Sequence, residues 1–208
     1  MAKGLLISFE GLDGSGKTTQ ITNFIKKLKI NNYDPILFRE PGATRIGEIL
    51  REIVLNKKYS EMTDITELLL YSASRSQLCQ EKILPALQTN KIVICDRFFD
   101  STTAYQGFAR GIDLEFIKKL NILATGNLVP DITFLLDICM KSRKSRLDSN
   151  NLDRLEQEET DFHRKVRSGF LQLVEENTNR FVLIDGTLSV EEIEKLVWKK
   201  FQKKKLEK

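Results

Sequence analysis

The stretch Leu5-Leu-Ile-Ser-Phe-Glu-Gly11-Leu-Asp-Gly-Ser-Gly16-Lys17-Thr18-Thr19 decides the fold. Residues 11 to 18 match the pattern G-x-x-x-x-G-K-[ST]. The apolar run 5–9 reads as a buried strand, and the amphipathic segment from Thr18 to Leu28 reads as a helix. A glycine loop between such a strand and helix is a phosphate cradle. Its amides turn towards phosphate oxygens, its lysine reaches the β- and γ-phosphates, and its threonine hydroxyl can ligate Mg²⁺. Gly11, Leu12, Asp13, Gly14, Ser15, Gly16, Lys17, Thr18 and Thr19 are therefore the candidate triphosphate-binding positions.

Four more apolar runs continue the pattern: 36–38, 92–95, 132–136 and 181–184. They are almost continuously apolar, as strands covered on both faces are. Glu10, Asp96, Asp137 and Asp185 follow four of the five runs, where a parallel sheet opens its ligand crevice. Helical patterns fill the gaps. Residues 46–55 have one apolar face. Asp64-Ile-Thr-Glu67 reads as a capping box for a long helix towards Leu87, kinked or ended at Pro85. Asp113 caps a helix that stops before Gly126, and Ser189-Val-Glu-Glu192 caps the last one. The order specifies a doubly wound α/β fold, expected as one domain over residues 1–208.

The 208 residues are 41% hydrophobic and 30% charged, an ordinary globular balance. A net charge of +4, from 33 basic and 29 acidic side chains, gives no reason to expect nucleic acid as a partner. No run approaches the roughly 18 apolar residues of a membrane-spanning helix. Cys79, Cys95 and Cys139 are widely spaced, and His163 is the one histidine. These suggest a reduced, cytoplasmic protein without structural zinc. The lysine-rich end, Lys199 to Lys205, reads as a solvated helix face fraying into a tail.

A phosphate loop alone fits GTPases, ATPases and kinases. The base-reading N-K-x-D of GTPases is absent, since Asn56-Lys57-Lys58-Tyr59 lacks the aspartate. Further motifs narrow the choice. Phe38-Arg39-Glu40-Pro41-Gly42 follows the second strand, and Asp96-Arg97-Phe98 ends the third and leads into Ser101-Thr-Thr-Ala-Tyr105-Gln106-Gly107. Tyr71 and Arg75 share one helix face. Leu152-Asp153-Arg154-Leu155-Glu156 follows a basic stretch. In this order, over essentially the whole chain, the motifs resemble those of thymidylate kinases, in the bacterial type that carries its basic residues in the lid.

The resemblance implies a P-loop nucleoside monophosphate kinase fold, with a five-stranded parallel sheet, flanking helices and a mobile lid at about residues 141–154. It implies transfer from MgATP to dTMP by a homodimer. Lys17 and Arg97 would act on the transferring group, with Arg146 or Arg154 as the lid's catalytic cation. Thr18 and Asp96 would hold Mg²⁺. The acceptor would be bound by Asp13, Arg39, Tyr71, Arg75, Arg97, Thr102, Tyr105 and Gln106. Arg143 would stack on adenine, and Gly186 would border it. The interior of the phosphate loop, Leu12 to Ser15, has no cation. The lid is therefore expected to deliver one. Two departures stand out: Ala43 replaces the usual second glycine of R-E-P-G-G-T, and Ser149-Asn150-Asn151 interrupts the lid. The alternatives are another nucleoside or deoxynucleoside (monophosphate) kinase of this fold, or a nucleotide-binding module without turnover.

Overall fold

The computed structural model describes residues 4–147 and 153–206, so the Ser149–Asn151 interruption and Leu152 lie outside the described residues. Five parallel strands appear where the apolar runs place them: β1 (Leu5–Glu10), β2 (Pro35–Arg39), β3 (Ile92–Asp96), β4 (Ile132–Asp137) and β5 (Phe181–Asp185). They pair in the order β2-β3-β1-β4-β5, with β1 central. The register sets Phe9 beside Asp96, Arg39 beside Asp96, and Asp137 beside Asp185. Charged residues thus share one edge, at the carboxyl ends of the strands.

The helices are α1 (Lys17–Ile30), α2 (Arg45–Leu55), α3 (Asp64–Leu78), α4 (Leu84–Gln88), α5 (Phe99–Thr102), α6 (Leu114–Thr125), α7 (Met140–Arg146), α8 (Thr160–Glu176) and α9 (Val190–Leu206). One side of the sheet is sealed by α1 and α9. There Phe9, Phe24 and Phe134 meet with ring centroids 5.1–6.2 Å apart, and Phe201 completes the cluster. On the other side Leu6, Val93 and Cys95 pack on Leu78, Ile83, Leu87 and Phe98. A third cluster joins Tyr105 and Leu135 to Phe162, Val166 and Phe170 of α8. At about 25 cal/mol per Å² of apolar surface, each buried phenylalanine contributes on the order of 2–3 kcal/mol.

The expected boundaries need four corrections. Thr63, not Asp64, caps α3, accepting from the Thr66 amide at 3.3 Å. Glu67 cannot reach back to close a capping box because its carboxylate is occupied elsewhere. Pro85 does not end its helix: a π-helical turn at Cys79–Ile83 precedes it, and α4 carries the proline in its first turn, where a missing N–H costs nothing. Residues 141–146, expected as loop, are helical in α7. Lysine and arginine are good helix formers and favour the last turn, where the dipole is negative. The terminal lysines stay helical through Leu206, with Lys205 Nζ 3.8 Å from the centre of the Tyr33 ring. The Asp113 and Ser189 caps form as expected.

Candidate active site

The loop after β1 turns back on itself before α1. Gly16 has φ 94° at the cap of α1, a conformation that side-chain-bearing residues rarely adopt. At Gly11 a Cβ would sit 2.3 Å from the Leu136 carbonyl oxygen, so no larger residue fits. Lys17 Nζ donates to the carbonyls of Gly11 at 2.9 Å and Leu12 at 3.0 Å. Leu12 and Ser15 lie buried beneath the loop, while Thr18 and Thr19 face outwards.

A cleft of about 420 Å³ opens over this loop. Its near wall is Asp13, Gly14 and Gly16 to Thr19. The far wall carries Arg39, Tyr71, Arg75, Asp96, Arg97, Thr102, Tyr105 and Gln106, and Arg146 closes one side. The structure thus brings together all the expected acceptor residues and the two expected Mg²⁺ ligands. Gly186 sits behind the phosphate loop, where a Cβ would be 3.1 Å from the Ser15 carbonyl oxygen.

Arg97 is the pivot. Its backbone is left-handed, with φ 69°, a costly state for a residue that carries a Cβ. Glu10 holds it: this fully buried carboxylate accepts from the Phe98 amide at 2.7 Å and the Ser101 hydroxyl at 2.6 Å. The guanidinium then lies along the loop. Nη2 reaches Asp13 at 2.6 Å, and Nη1 reaches the Gly11 carbonyl at 3.0 Å and Ser101 Oγ at 3.2 Å. Burial, with Asp100 adding to it, pushes the Glu10 carboxyl up to about 8. Burial would raise Asp13 too, but Arg97 and Lys17 outweigh it and hold Asp13 well below the usual carboxylate range. Burial, aided by Arg97, pushes the Lys17 ammonium down to about 8. An anion arriving here would meet two cations, Lys17 and Arg97, that share the single carboxylate of Asp13.

The remaining acceptor residues differ in freedom. Arg39 is half exposed and pairs with Glu48 at 3.0 Å. Arg75 is buried: Nε donates to Glu40 at 2.7 Å, Nη1 to Thr102 Oγ1 at 2.8 Å and Nη2 to the Phe98 carbonyl at 3.3 Å. Thr102 is thus Arg75's acceptor as well as a cleft residue. The Tyr105 ring lies under the Arg97 guanidinium, 5.3 Å from its centre. Ala43, at the departure from R-E-P-G-G-T, takes φ 64°; its amide donates to Glu48 Oε1 at 2.6 Å, which secures the strained position.

The three lid arginines point three ways. Arg146 Nη1 bonds the carbonyls of Gly186 at 2.9 Å and Gly14 at 3.4 Å, at the cleft. Arg143 does not line the cleft; its Nε and Nη2 are buried without a hydrogen-bond partner among the described residues. Arg154 does not line it either. Nη2 donates to Glu67 at 2.6 Å, and Nε to the Val54 carbonyl at 3.0 Å. His163 is buried, and burial together with Arg143 pushes its imidazole down to about 4.

Sequence reasoning missed Arg51, Glu67, Asp153 and Glu156. Arg51 lines the cleft and donates to the Pro41 carbonyl at 2.9 Å. It lies four residues before Leu55 on the cleft side of α2, a side that the sequence alone does not mark. Asp153 and Glu156 also line the cleft. Glu67 has no sequence signal apart from the capping box it was assigned to.

Among the described residues no cluster of three His, Cys, Asp or Glu side chains could hold a metal by itself. Thr18 and Asp96 offer two hard oxygen donors on one cleft. That suits Mg²⁺, which keeps waters and takes most of its ligands from nucleotide phosphates. The three cysteines are unpaired, and no helix among the described residues is long and apolar enough to cross a membrane.

Known proteins resemble this chain over most of its length. The family model for thymidylate kinase matches residues 9–197. A thymidylate kinase of Caldanaerobacter subterraneus subsp. tengcongensis is 49% identical over 197 residues, covering 95% of this chain and 94% of that protein. One of Kosmotoga olearia is 42% identical, with 95% of each covered. A crystal structure of thymidylate kinase from Ehrlichia chaffeensis superposes with a TM-score of 0.76 at 35% identity, covering 96% of this chain and 98% of that one.

Proposed function

The chain belongs to the thymidylate kinase family, a family of phosphotransferases, and we propose how its cleft converts dTMP and ATP to dTDP and ADP. The observation that carries the reading is the opposition of two walls in one cleft: the phosphate loop with Lys17 on one side, Arg39, Arg97 and Tyr71 on the other. One wall suits a triphosphate, the other a phosphate attached to a ring.

ATP lies with its β- and γ-phosphates on the amides of Gly14 to Thr19, and Lys17 turns from the Gly11 and Leu12 carbonyls to the phosphate oxygens. Thr18 and Asp96 would hold Mg²⁺, which supplies charge neutralisation on the phosphates. Arg97 and Arg39 hold the dTMP phosphate with one oxygen in line with the γ-phosphorus. That oxygen forms the new P–O bond as the bond from the γ-phosphorus to the β,γ-bridging oxygen breaks. The acceptor phosphate is already ionised, so no general base is needed. Tyr71 stacks on the thymine, Arg75 and Thr102 read its edge, Tyr105 packs beside the sugar with Gln106 behind, and Asp13 approaches the sugar 3′-hydroxyl.

Arg146 is the lid cation in this reading, because it already lies on the Gly14 carbonyl at the cleft. Residues 141–154 close over the phosphates and exclude water. Arg143, whose Nε and Nη2 are buried, is better placed to steady α7 than to stack on adenine. A homodimer is proposed through α2, α3 and α6, which expose Ile46, Ile49, Ile65, Leu69, Phe116 and Leu123. Of the Leu68–Leu70 run only Leu69 belongs to that face, since Leu68 is buried. Free cysteines, two of them buried, suit a reducing cytoplasm.

An ADP-release assay over dTMP, dUMP, dCMP, dAMP, GMP and thymidine tests the acceptor. Turnover is expected to be fastest with dTMP and absent with thymidine. Turnover with another monophosphate but not dTMP would overturn the substrate while keeping the kinase. ATP consumption indifferent to every acceptor would point to a module that only binds nucleotide.

A further inference from the structure

Glu67 lies one helical turn before Tyr71 on α3, and its carboxylate is 1% exposed. Three residues from two distant parts of the chain converge on it. Gln106 Nε2 donates to Oε1 at 2.8 Å. Arg110 donates from Nε to Oε1 at 3.3 Å and from Nη2 to Oε2 at 3.0 Å. Arg154 Nη2 donates to Oε2 at 2.6 Å. Arg110 is shared further, reaching Asp64 at 3.3 Å and Glu158 at 2.6 Å.

Two of the partners, Gln106 and Arg154, belong to different working parts. Gln106 lines the acceptor cleft beside Tyr105. Arg154 lies in the turn at the C-terminal end of the lid, where Asp153, Leu155 and Glu156 line the same cleft. Arg154 is also pinned to the end of α2, through its amide to the Leu55 carbonyl at 3.3 Å and its Nε to Val54. A buried carboxylate that satisfies two guanidinium groups and an amide has no slack. Withdrawing one partner leaves charge uncompensated inside the protein, so the partners hold position together.

We propose that Glu67 is a positioning residue for the reaction: its carboxylate fastens the C-terminal end of the lid, through Arg154, to the wall that receives the nucleobase, through Gln106 and Tyr71. Arg154 is then an anchor and not the lid's catalytic cation. Its Nε and Nη2 are given to Val54 and Glu67, and it does not line the cleft. The link makes the acceptor wall and the lid respond to each other, while the phosphate loop, which Glu67 does not touch, keeps its own affinity for ATP. The inference rests on the dTMP kinase reading.

The test is a double-mutant cycle of Glu67→Gln and Arg154→Gln, read as kcat and KM for dTMP, with ATP binding measured separately by equilibrium dialysis without acceptor. Loss of a hydrogen bond to a buried charge predicts a dTMP KM raised about tenfold in each single variant, with kcat changed less than about fivefold. The double variant should be no worse than the poorer single one, because both remove the same link. ATP affinity should stay within about twofold of the wild type. Additive effects, an unchanged dTMP KM, or equal losses of ATP and dTMP affinity would overturn the proposal. So would a drop of about 10²-fold or more in kcat for Arg154→Gln, the size of loss that marks a transition-state donor. If Glu67→Gln fails to fold, Gln106→Leu with Arg154→Gln, also judged on the dTMP KM, completes the cycle from the cleft side. Absence of dTMP turnover in the wild type would instead strike the kinase reading itself.

Discussion

The phosphate loop and the lid both present cations to the same cleft, but they are built in opposite ways. Lys17 and Arg97 are held by backbone: two loop carbonyls for Lys17, and for Arg97 a strained φ secured through Glu10, Phe98 and Ser101. The three lid arginines share no common support. Arg146 rests on two carbonyls, Arg143 has two nitrogens without a partner among the described residues, and Arg154 is taken by Glu67. Where geometry comes from glycines and a strand end, a short motif encodes it and any reader can find it. Where several like residues compete for one role, the choice is settled by partners far away in the chain.

The largest way to break this contrast is at Lys17. Lys17→Met should lower kcat by about 10³-fold, since it removes the cation on the transferring group. Its thermal midpoint should stay within a few degrees of wild type. A loss of less than tenfold would mean that the loop is not where the charge develops. Next is Arg146→Gln, expected to lower kcat about 10²-fold with little change in the dTMP KM. Should Arg143→Gln give that loss instead, the lid cation is the buried arginine and the assignment by cleft contact is wrong. Tyr71→Leu should raise the dTMP KM about tenfold by removing a stacked ring, whereas Tyr71→Phe should change it less than about twofold. Equal effects would show that the hydroxyl, not the ring, does the work.

The smallest effect concerns stability. Burial holds the Glu10 carboxyl near 8 and that of Glu40 near 7, both above their ordinary value. The folded protein therefore keeps protons that the unfolded chain has lost, and stability falls as pH rises towards 8. His163 acts in the opposite sense, but below about pH 6.5, and Lys17 only above about 8. Between pH 6.5 and 8 the thermal midpoint should decline, and Glu10→Gln should flatten that decline. A midpoint that rises over this range in the wild type would contradict the burial of Glu10.

Much of this was legible before any coordinates. All five strands were apolar runs ending near a charge, and β1, the loop and α1 came as one sentence of sequence. Arg97 was expected at the cleft because it follows a strand-ending aspartate, and Tyr71, Arg75, Thr102 and Tyr105 because of the resemblance; all of them line it. What escaped had a common cause. Asp64-Ile-Thr-Glu67 looked like a capping box because Glu67's true partners lie 39, 43 and 87 residues away. Arg154 looked free for the same reason. Arg51 was hidden inside an ordinary amphipathic helix, and the π-helical turn before Pro85 has no local code.

The most direct test of the central claim is phosphorus NMR of the protein mixed with MgATP and dTMP. The account predicts that the β-phosphorus signal of dTDP grows in step with ADP, with no free inorganic phosphate. ADP and inorganic phosphate without dTDP, or no change in ATP at all, would contradict it.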